Sequence, residues 1–344
     1  MPLISVVLPA YNAQDYIEEA INSILNQTIE DFEILVIDDG STDNTHKIVE
    51  KMAGEDYRIK LLTNEKNMGL IYTLNRGLEE ATGEYIARMD ADDISLPERF
   101  ERQIEYLKEN PSVWLCSVIV EFFGAKSEVK AYYYSPEETK AELLYHNGVS
   151  HPGYMMRREL IKDEGHRYHS EYLHAEDYEF VVNVARTHDV GIVPKRLLLY
   201  RIHENQVSGV NSDITAATAR RVREEQLQAM GANLTAKEIE DFFDSSYSKN
   251  RNISLDTLDN RLAMMAKIVE ANEVSKYYDM SELQMALARR YAYSVVILSS
   301  FKDIKKNHKA EVVAKALRMN VKDYETIFKA TKSENIRGLI KRMF

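Results

Sequence analysis

The chain of 344 residues is 44% apolar and 29% charged, a balance that excludes a disordered chain, and its length points to two domains rather than one core. No apolar run reaches the roughly 20 residues needed to span a bilayer; the longest, 113–120 and 291–301, are short and interrupted by polar groups. The net charge of −11 divides unevenly, with 21 Lys and Arg against 37 Asp and Glu in residues 1–212 (net −16) and 23 against 18 in 213–344 (net +5), so the first part suits a divalent cation and not a nucleic acid.

Residues 4–9 read as a buried strand with no basic leader before it, so no signal peptide is expected. The lone Cys116 in an apolar run has no internal disulfide partner, which points to a cytoplasmic setting. Asp15 and Glu18 have the spacing of a capping box, followed by Ile17, Ala20, Ile21, Ile24 and Leu25 on one helical face. A strand is expected over 32–37, a helix through Ile48, Val49 and Met52, and a strand over 59–62. A helix through Leu70, Leu74 and Leu78 follows, with Gly83 as its stop signal. The next strand, 84–89, runs into Asp90-Ala91-Asp92-Asp93. Ser95-Leu96-Pro97-Glu98 then predicts a helix start with proline at its first position, and Asn110-Pro111 its end.

Four strand-to-helix passages in a row predict a parallel, doubly wound sheet, in which ligands bind beyond the carboxyl ends of the strands. The polar clusters fall there: Tyr11-Asn12, Asp38-Asp39, Asn67 with Gly69, and Asp90 to Asp93. From 112 to 212 the alternation loosens. It passes a strand at 113–120, a Tyr132-Tyr133-Tyr134 run that reads as a strand or a sugar-stacking face, and His151-Pro152. A helix from Glu176-Asp177 and one or two strands over 190–200 complete this part. After 208 only helical spacing is present, near 216–231, 235–245, 256–272, 281–300, 309–318 and 322–344. The boundary is expected at 212/213, with an α/β domain before it and a helical domain for oligomerisation, partner docking or membrane-surface docking after it.

The strand-end carboxylates could offer oxygen ligands to Mg2+ or Mn2+ while leaving positions for phosphate oxygens. A lone D-x-D is weak on its own; its place opposite Asp38-Asp39 strengthens it. The chain has no G-x-G-x-x-G after its first strand, no G-x-x-x-x-G-K-[ST] and no G-x-S-x-G, which excludes the dinucleotide fingerprint, the P-loop and the hydrolase elbow. A diphosphate held here must be neutralised by a metal on carboxylates.

Pro9-Ala10-Tyr11-Asn12, Asp38-Asp39-Gly40-Ser41-Thr42-Asp43, Asn67-Met68-Gly69, Gly83-Glu84-Tyr85-Ile86 and Met89-Asp90-Ala91-Asp92-Asp93 resemble, in order and spacing, the motifs of family-2 glycosyltransferases with the GT-A fold. His151-Pro152, Glu176-Asp177-Tyr178 and Tyr200-Arg201-Ile202-His203 resemble that family's acceptor-side motifs. The resemblance covers about 1–208. It implies an α/β GT-A domain, a Rossmann-like and mostly parallel sheet flanked by helices, with the all-α part lying outside it. It also implies inverting transfer of a hexose (glucose, galactose or an N-acetyl form) from a UDP-sugar to a hydroxyl of a glycan, lipid-linked or glycoprotein acceptor, in the synthesis of a surface polysaccharide or glycoprotein glycan.

Carried over by position, the resemblance gives Pro9, Tyr11, Asn12, Asp39, Asn67, Gly69, Asp90 and Ala91 to nucleotide-sugar binding, with Asp39 accepting from the base and Asp90 on the ribose. Asp92 becomes the metal ligand, and Asp93 a second oxygen donor, for Mn2+ or Mg2+. Asp177 becomes the base, with Glu176 as second choice; both could instead serve as helix-terminal caps. His203 could complete the metal shell, touch the diphosphate or be structural, and His151 could line the acceptor pocket or pack. The tail from Lys332 to Phe344 alternates basic and apolar residues, as a helix on an anionic membrane, on its own domain or on a second copy of the chain would. The competing reading is an inactive sugar-nucleotide or glycan binding module serving as an assembly scaffold; it would be expected to lack one of Asp39, Asp92 or Asp177, and all three are present.

Overall fold

The computed structural model describes residues 1–125, 127–130, 135–203, 212–247, 255–298 and 309–333. The chain divides into two compact units: Met1–Pro136 with Asn147–Ala219, and Glu137–His146 with Arg220–Phe344.

The first unit is built on one nine-stranded sheet. Strands β1 (Ile4–Ala10) and β2 (Phe32–Asp38) are buried at every position, which is why they read as unbroken apolar runs and not as alternating ones. Helices α1 (Ile17–Leu25), α2 (Thr45–Glu55) and α3 (Leu70–Glu80) connect them to β3 (Ile59–Thr63) and β4 (Tyr85–Arg88). The parallel half runs β3-β2-β1-β4. The other half is mixed. Strand β8 (Met155–Arg157) is antiparallel to both β4 and β6 (Val113–Gly124), β6 is parallel to β9 (Asp189–Ile202), and β5 (Ile94–Ser95) and β7 (Glu128–Lys130) add antiparallel edges. Helix α4 (Arg99–Glu109) precedes β6. Helix α5 (Pro136–Glu142) and a 3-10 turn (His151–Gly153) follow β7, and short α6 (Glu159–Lys162) and longer α7 (Glu176–Thr187) lead into β9. The expected one or two strands over 190–200 are this single long β9.

Three local expectations are corrected by the structure. Asp15 and Glu18 form no capping box: Tyr16 precedes α1 without a side-chain cap, and the turn closes through Tyr16 and Ile17 N–H donating to the Ala13 carbonyl at 3.0 and 2.9 Å. Pro97 is not the first residue of α4. Ser95 is taken into β5, and the incoming helix is capped by Gln27, whose Oε1 accepts from Phe100 N–H at 3.1 Å. Gly83 is no helix stop either: a Cβ there would lie 2.6 Å from the Ser5 nitrogen and 2.8 Å from the Ile4 carbonyl carbon, so it is the close approach of backbone to β1 that requires glycine.

Among its described residues the second unit has helices and no strand: α8 (Ser212–Ala229), in which the division between units falls, then α9 (Ala236–Tyr247), α10 (Leu255–Ser275), α11 (Met280–Leu298), α12 (Ala310–Leu317) and α13 (Val321–Ser333). Its core contains Leu227, Phe242, Met265, Leu287 and Leu317 together with Ala141, Leu144 and Tyr145 from the 137–146 segment. That segment is also tied by a buried ion pair, Arg290 Nη2 to Glu142 Oε2 at 2.9 Å. Among the described residues no helix is long and apolar enough to cross a membrane. Tyr132-Tyr133-Tyr134 and residues 334–344 of the basic tail lie outside the described residues.

Candidate active site

The loops after β1, β2 and β3 are laced to one another. Asn12, at φ 47°, donates its backbone N–H to Ser41 Oγ at 2.9 Å and accepts Thr42 N–H on its side-chain oxygen at 2.9 Å. Tyr11 is exposed beside it, whereas Pro9 is buried within β1. Asp39 is buried, and its carboxylate accepts from Asn64 Nδ2 (2.7 Å), Met68 N–H (2.9 Å) and Gly69 N–H (2.9 Å). A carboxylate offers about four acceptor positions, so three are occupied by its own loops. Asn67 braces the same turn by accepting from Gly69 N–H at 3.1 Å. Gly40 (φ 69°) permits the packing, because a Cβ there would lie 2.5 Å from the Lys66 carbonyl carbon.

The acidic turn follows β4 directly. Asp90, Asp92 and Asp93 bring one carboxylate oxygen each to within 4.8 Å of one another, with Ala91 buried between them. Their partners differ. Asp90 is gripped in two hydrogen bonds by the buried Arg88, one of them Nη1 to Oδ2 at 2.7 Å. Asp92 Oδ2 meets His203 Nε2 at 2.9 Å. Asp93 Oδ1 accepts from Arg201 N–H at 2.9 Å, while its Oδ2 is buried with no hydrogen-bond partner, as is His203 Nδ1. Burial, reinforced by Asp90 and Asp92, pushes the Asp93 carboxyl well above the ordinary range, and burial likewise raises Asp90. Three crowded carboxylates with one oxygen unsatisfied are the environment a divalent cation relieves. The donor set therefore fits a hard metal: the turn gives three oxygens and His203 stands on Asp92.

Glu176 and Asp177 open α7. Asp177 Oδ2 accepts from Asn147 Nδ2 at 2.9 Å, and the Asp177 backbone carbonyl accepts from the Tyr154 hydroxyl at 3.3 Å. Burial raises the Asp177 carboxyl, against the pull of the helix-start N–H groups and Arg88. Burial and the neighbouring Asp177 lift Glu176 to about 7, and its Oε2 has no partner. His151 packs rather than standing free: its Nε2 meets the Tyr168 hydroxyl at 2.8 Å, and burial holds it neutral, well below its ordinary pKa. Tyr168 stacks in turn on Phe180 at 4.5 Å.

The sequence reading missed Arg88 and Asn147 as members of this constellation, and it quoted Arg201 within the Tyr200-to-His203 motif without giving it a role. Arg88 carried a readable signal, a charge inside the apolar strand Tyr85-Ile86-Ala87-Arg88-Met89 that must find a buried partner. Its charge bears on Asp90, Asp93, Glu176, Asp177 and His151. It thereby links the acidic turn to the start of α7. Arg201 donates Nε to the Asp92 carbonyl at 2.8 Å, pairs with Glu19, and lies 4.8 Å over Tyr16 and 4.4 Å over Phe123.

The profile of the family described as "Glycosyl transferase family 2" matches residues 5–165. An uncharacterized glycosyltransferase of Haemophilus influenzae is 36% identical over 237 residues, covering 66% of this chain and 73% of that protein. The chain belongs to glycosyl transferase family 2. A further relative, the UDP-Glc:alpha-D-GlcNAc-diphosphoundecaprenol beta-1,3-glucosyltransferase WfgD of Escherichia coli, is 30% identical over 209 residues, 60% of this family-2 chain and 79% of that protein. The crystal structure of residues 1–349 of S. aureus TarS in complex with UDP-GlcNAc superimposes with a TM-score of 0.58 at 18% identity, covering 95% of this chain and 90% of that one. The likeness shows a shared fold, GT-A with a helical C-terminal region.

Proposed function

We propose that this family-2 glycosyltransferase is a metal-dependent inverting enzyme that transfers a hexosyl group from a UDP-sugar to a hydroxyl of a glycan or lipid-linked acceptor in surface polysaccharide synthesis. The carrying observation is the acidic turn at the carboxyl end of β4, with three carboxylate oxygens within 4.8 Å and Asp93 Oδ2 unsatisfied. The names of the relatives support the donor class: WfgD is a UDP-Glc enzyme and TarS was crystallised with UDP-GlcNAc.

Asp92, with Asp93 and His203 beside it, would hold Mn2+ or Mg2+, which supplies countercharge to the diphosphate of the leaving UDP. Tyr11, exposed at the end of β1, offers a face for the uracil, and Asp39 has one acceptor position left for its N–H; Asn12, Asn67 and Gly69 hold the loops that frame it. Arg88 fixes Asp90 toward the ribose. On the acceptor side, Asp177 takes the proton of the attacking hydroxyl as the new glycosidic bond forms and the bond from the anomeric carbon to the phosphate oxygen breaks. The raised carboxyl of Asp177 suits that task, since a base works best with a pKa near the working pH. His151, neutral and bonded to Tyr168, does not move protons.

The test is a panel of UDP- and GDP-sugars incubated with the full chain and Mn2+ or EDTA, reading released nucleoside diphosphate, with UDP binding measured by calorimetry on the same sample. Metal-dependent release from one UDP-sugar is expected. Asp92→Ala should lose metal-dependent UDP binding and keep its fold; UDP affinity that is the same with Mn2+ and with EDTA in the unsubstituted chain would remove the metal from the reading.

A further inference from the structure

Asn147 stands at a junction. The chain leaves the catalytic unit after Pro136, contributes Glu137–His146 to the helical unit, and re-enters at Asn147. There its side-chain amide is committed at both ends. Oδ1 accepts from Val149 N–H at 3.0 Å, so the NH2 end is the one that faces Asp177, and Nδ2 donates to Asp177 Oδ2 at 2.9 Å. The buried Tyr154 hydroxyl donates to the Asp177 backbone carbonyl at 3.3 Å. Asn147 and Tyr154 thus hold Asp177 at the first turn of α7, one by its side chain and the other by its backbone.

We propose that Asn147 is a positioning residue for proton transfer: by holding Oδ2 of Asp177 it sets the carboxylate's rotamer, and so where the other oxygen stands for the acceptor hydroxyl. The inference rests on the reading of Asp177 as the base. Among the described residues Asn147 is the side chain that hydrogen-bonds the Asp177 carboxylate, and Arg88 acts on it through its charge. The groups facing this carboxylate are Glu176 on its own helix, Arg88 and Asp90 at the end of β4, and the buried Tyr154 and Tyr168. Asp90 and Glu176 oppose its charge and Arg88 favours it, so removal of the amide shifts the balance toward the protonated, inactive form.

The experiment compares the full chain with Asn147→Ala, Asn147→Asp and Asp177→Asn, using UDP-glucose and UDP-GlcNAc with Mn2+ and reading released UDP from pH 5 to 9, together with a crystal structure of Asn147→Ala. In Asn147→Ala, kcat should fall about tenfold to a hundredfold, the worth of a hydrogen bond to a charged group. KM for the donor should stay within twofold, the acidic limb of the rate profile should move to higher pH, and the Asp177 carboxylate should take a different rotamer. Asn147→Asp keeps the shape and the bond from Val149 but replaces the donor by a like charge, so its limb should move further; it also carries the test should the alanine variant fail to fold. If Asp177→Asn keeps near-normal turnover, the base reading itself falls. If Asp177→Asn is inactive but Asn147→Ala keeps the parent's kcat, acidic limb and Asp177 rotamer, the positioning role alone is overturned. Should neither sugar turn over, the rotamer in the crystal structure decides.

Discussion

Glu176 is a buried carboxyl whose charge is opposed by both its burial and its neighbour. It is 7% exposed, one oxygen lacks a partner, and burial with Asp177 beside it raises its carboxyl from 4.5 to about 7. An acid with a raised folded pKa gives stability that is fully present below about 4.5 and is lost as pH rises through 7, because the folded chain keeps a proton the unfolded one releases. The shift corresponds to at most about 3 kcal/mol. Glu176→Gln holds the neutral shape at every pH, so it should melt above the parent at pH 8 and close to level with it at pH 4; an equal difference at both would mean that Glu176 titrates as an ordinary glutamate. The presence of this carboxylate pair at a helix start was legible in the sequence. Its energetics were not, since spacing cannot report how deeply a helix terminus is buried. Arg88 was legible in principle, as a charge in an apolar strand. Asn147 was not, because its partner Asp177 lies 30 residues away and no local pattern marks the pair.

At the scale of elements, the parallel half of the sheet could be read from apolar runs alternating with helix-period segments, and the short strands β5, β7 and β8 could not, having two or three residues each. The helix starts teach a related lesson. At α4, where the sequence offered a local cap, the structure uses the distant Gln27. Propensity and packing part company at two glycines. In α2, Gly54 faces open space, so Gly54→Ala should gain up to about 1 kcal/mol of helix propensity, less for lying near the helix end. In α3, a Cβ on Gly77 would lie 2.4 Å from Val7 Cγ1 and 2.9 Å from Ile37 Cδ1, both in the sheet core. Gly77→Ala should lose about 1–3 kcal/mol through overpacking despite the same propensity gain. Thermal melts of the two variants should move in opposite directions; a rise for Gly77→Ala would mean that α3 has room to withdraw from β1 and β2.

At the scale of the whole molecule, the sequence showed an acidic α/β part followed by a helical one but not that the helical unit takes in residues 137–146. The segment reads as part of the loosened stretch after β6, and its membership is set by long-range packing: Ala141, Leu144 and Tyr145 are buried in the helical core and Glu142 is buried against Arg290. The division has a physical consequence for any fragment. A chain cut after Ala219 keeps the sheet and the acidic turn, yet it keeps this segment without the helices that cover its apolar side chains and without the partner of Glu142. Exposed apolar surface of this kind promotes association, and a carboxylate formerly buried against an arginine loses its countercharge. Fragment 1–219 should therefore self-associate in size-exclusion chromatography, whereas the same fragment with 137–146 replaced by a Gly/Ser linker should run as a monomer with an α/β circular dichroism spectrum. Self-association of both fragments to the same extent would mean that the α/β unit needs the helical one for more than the cover of this segment.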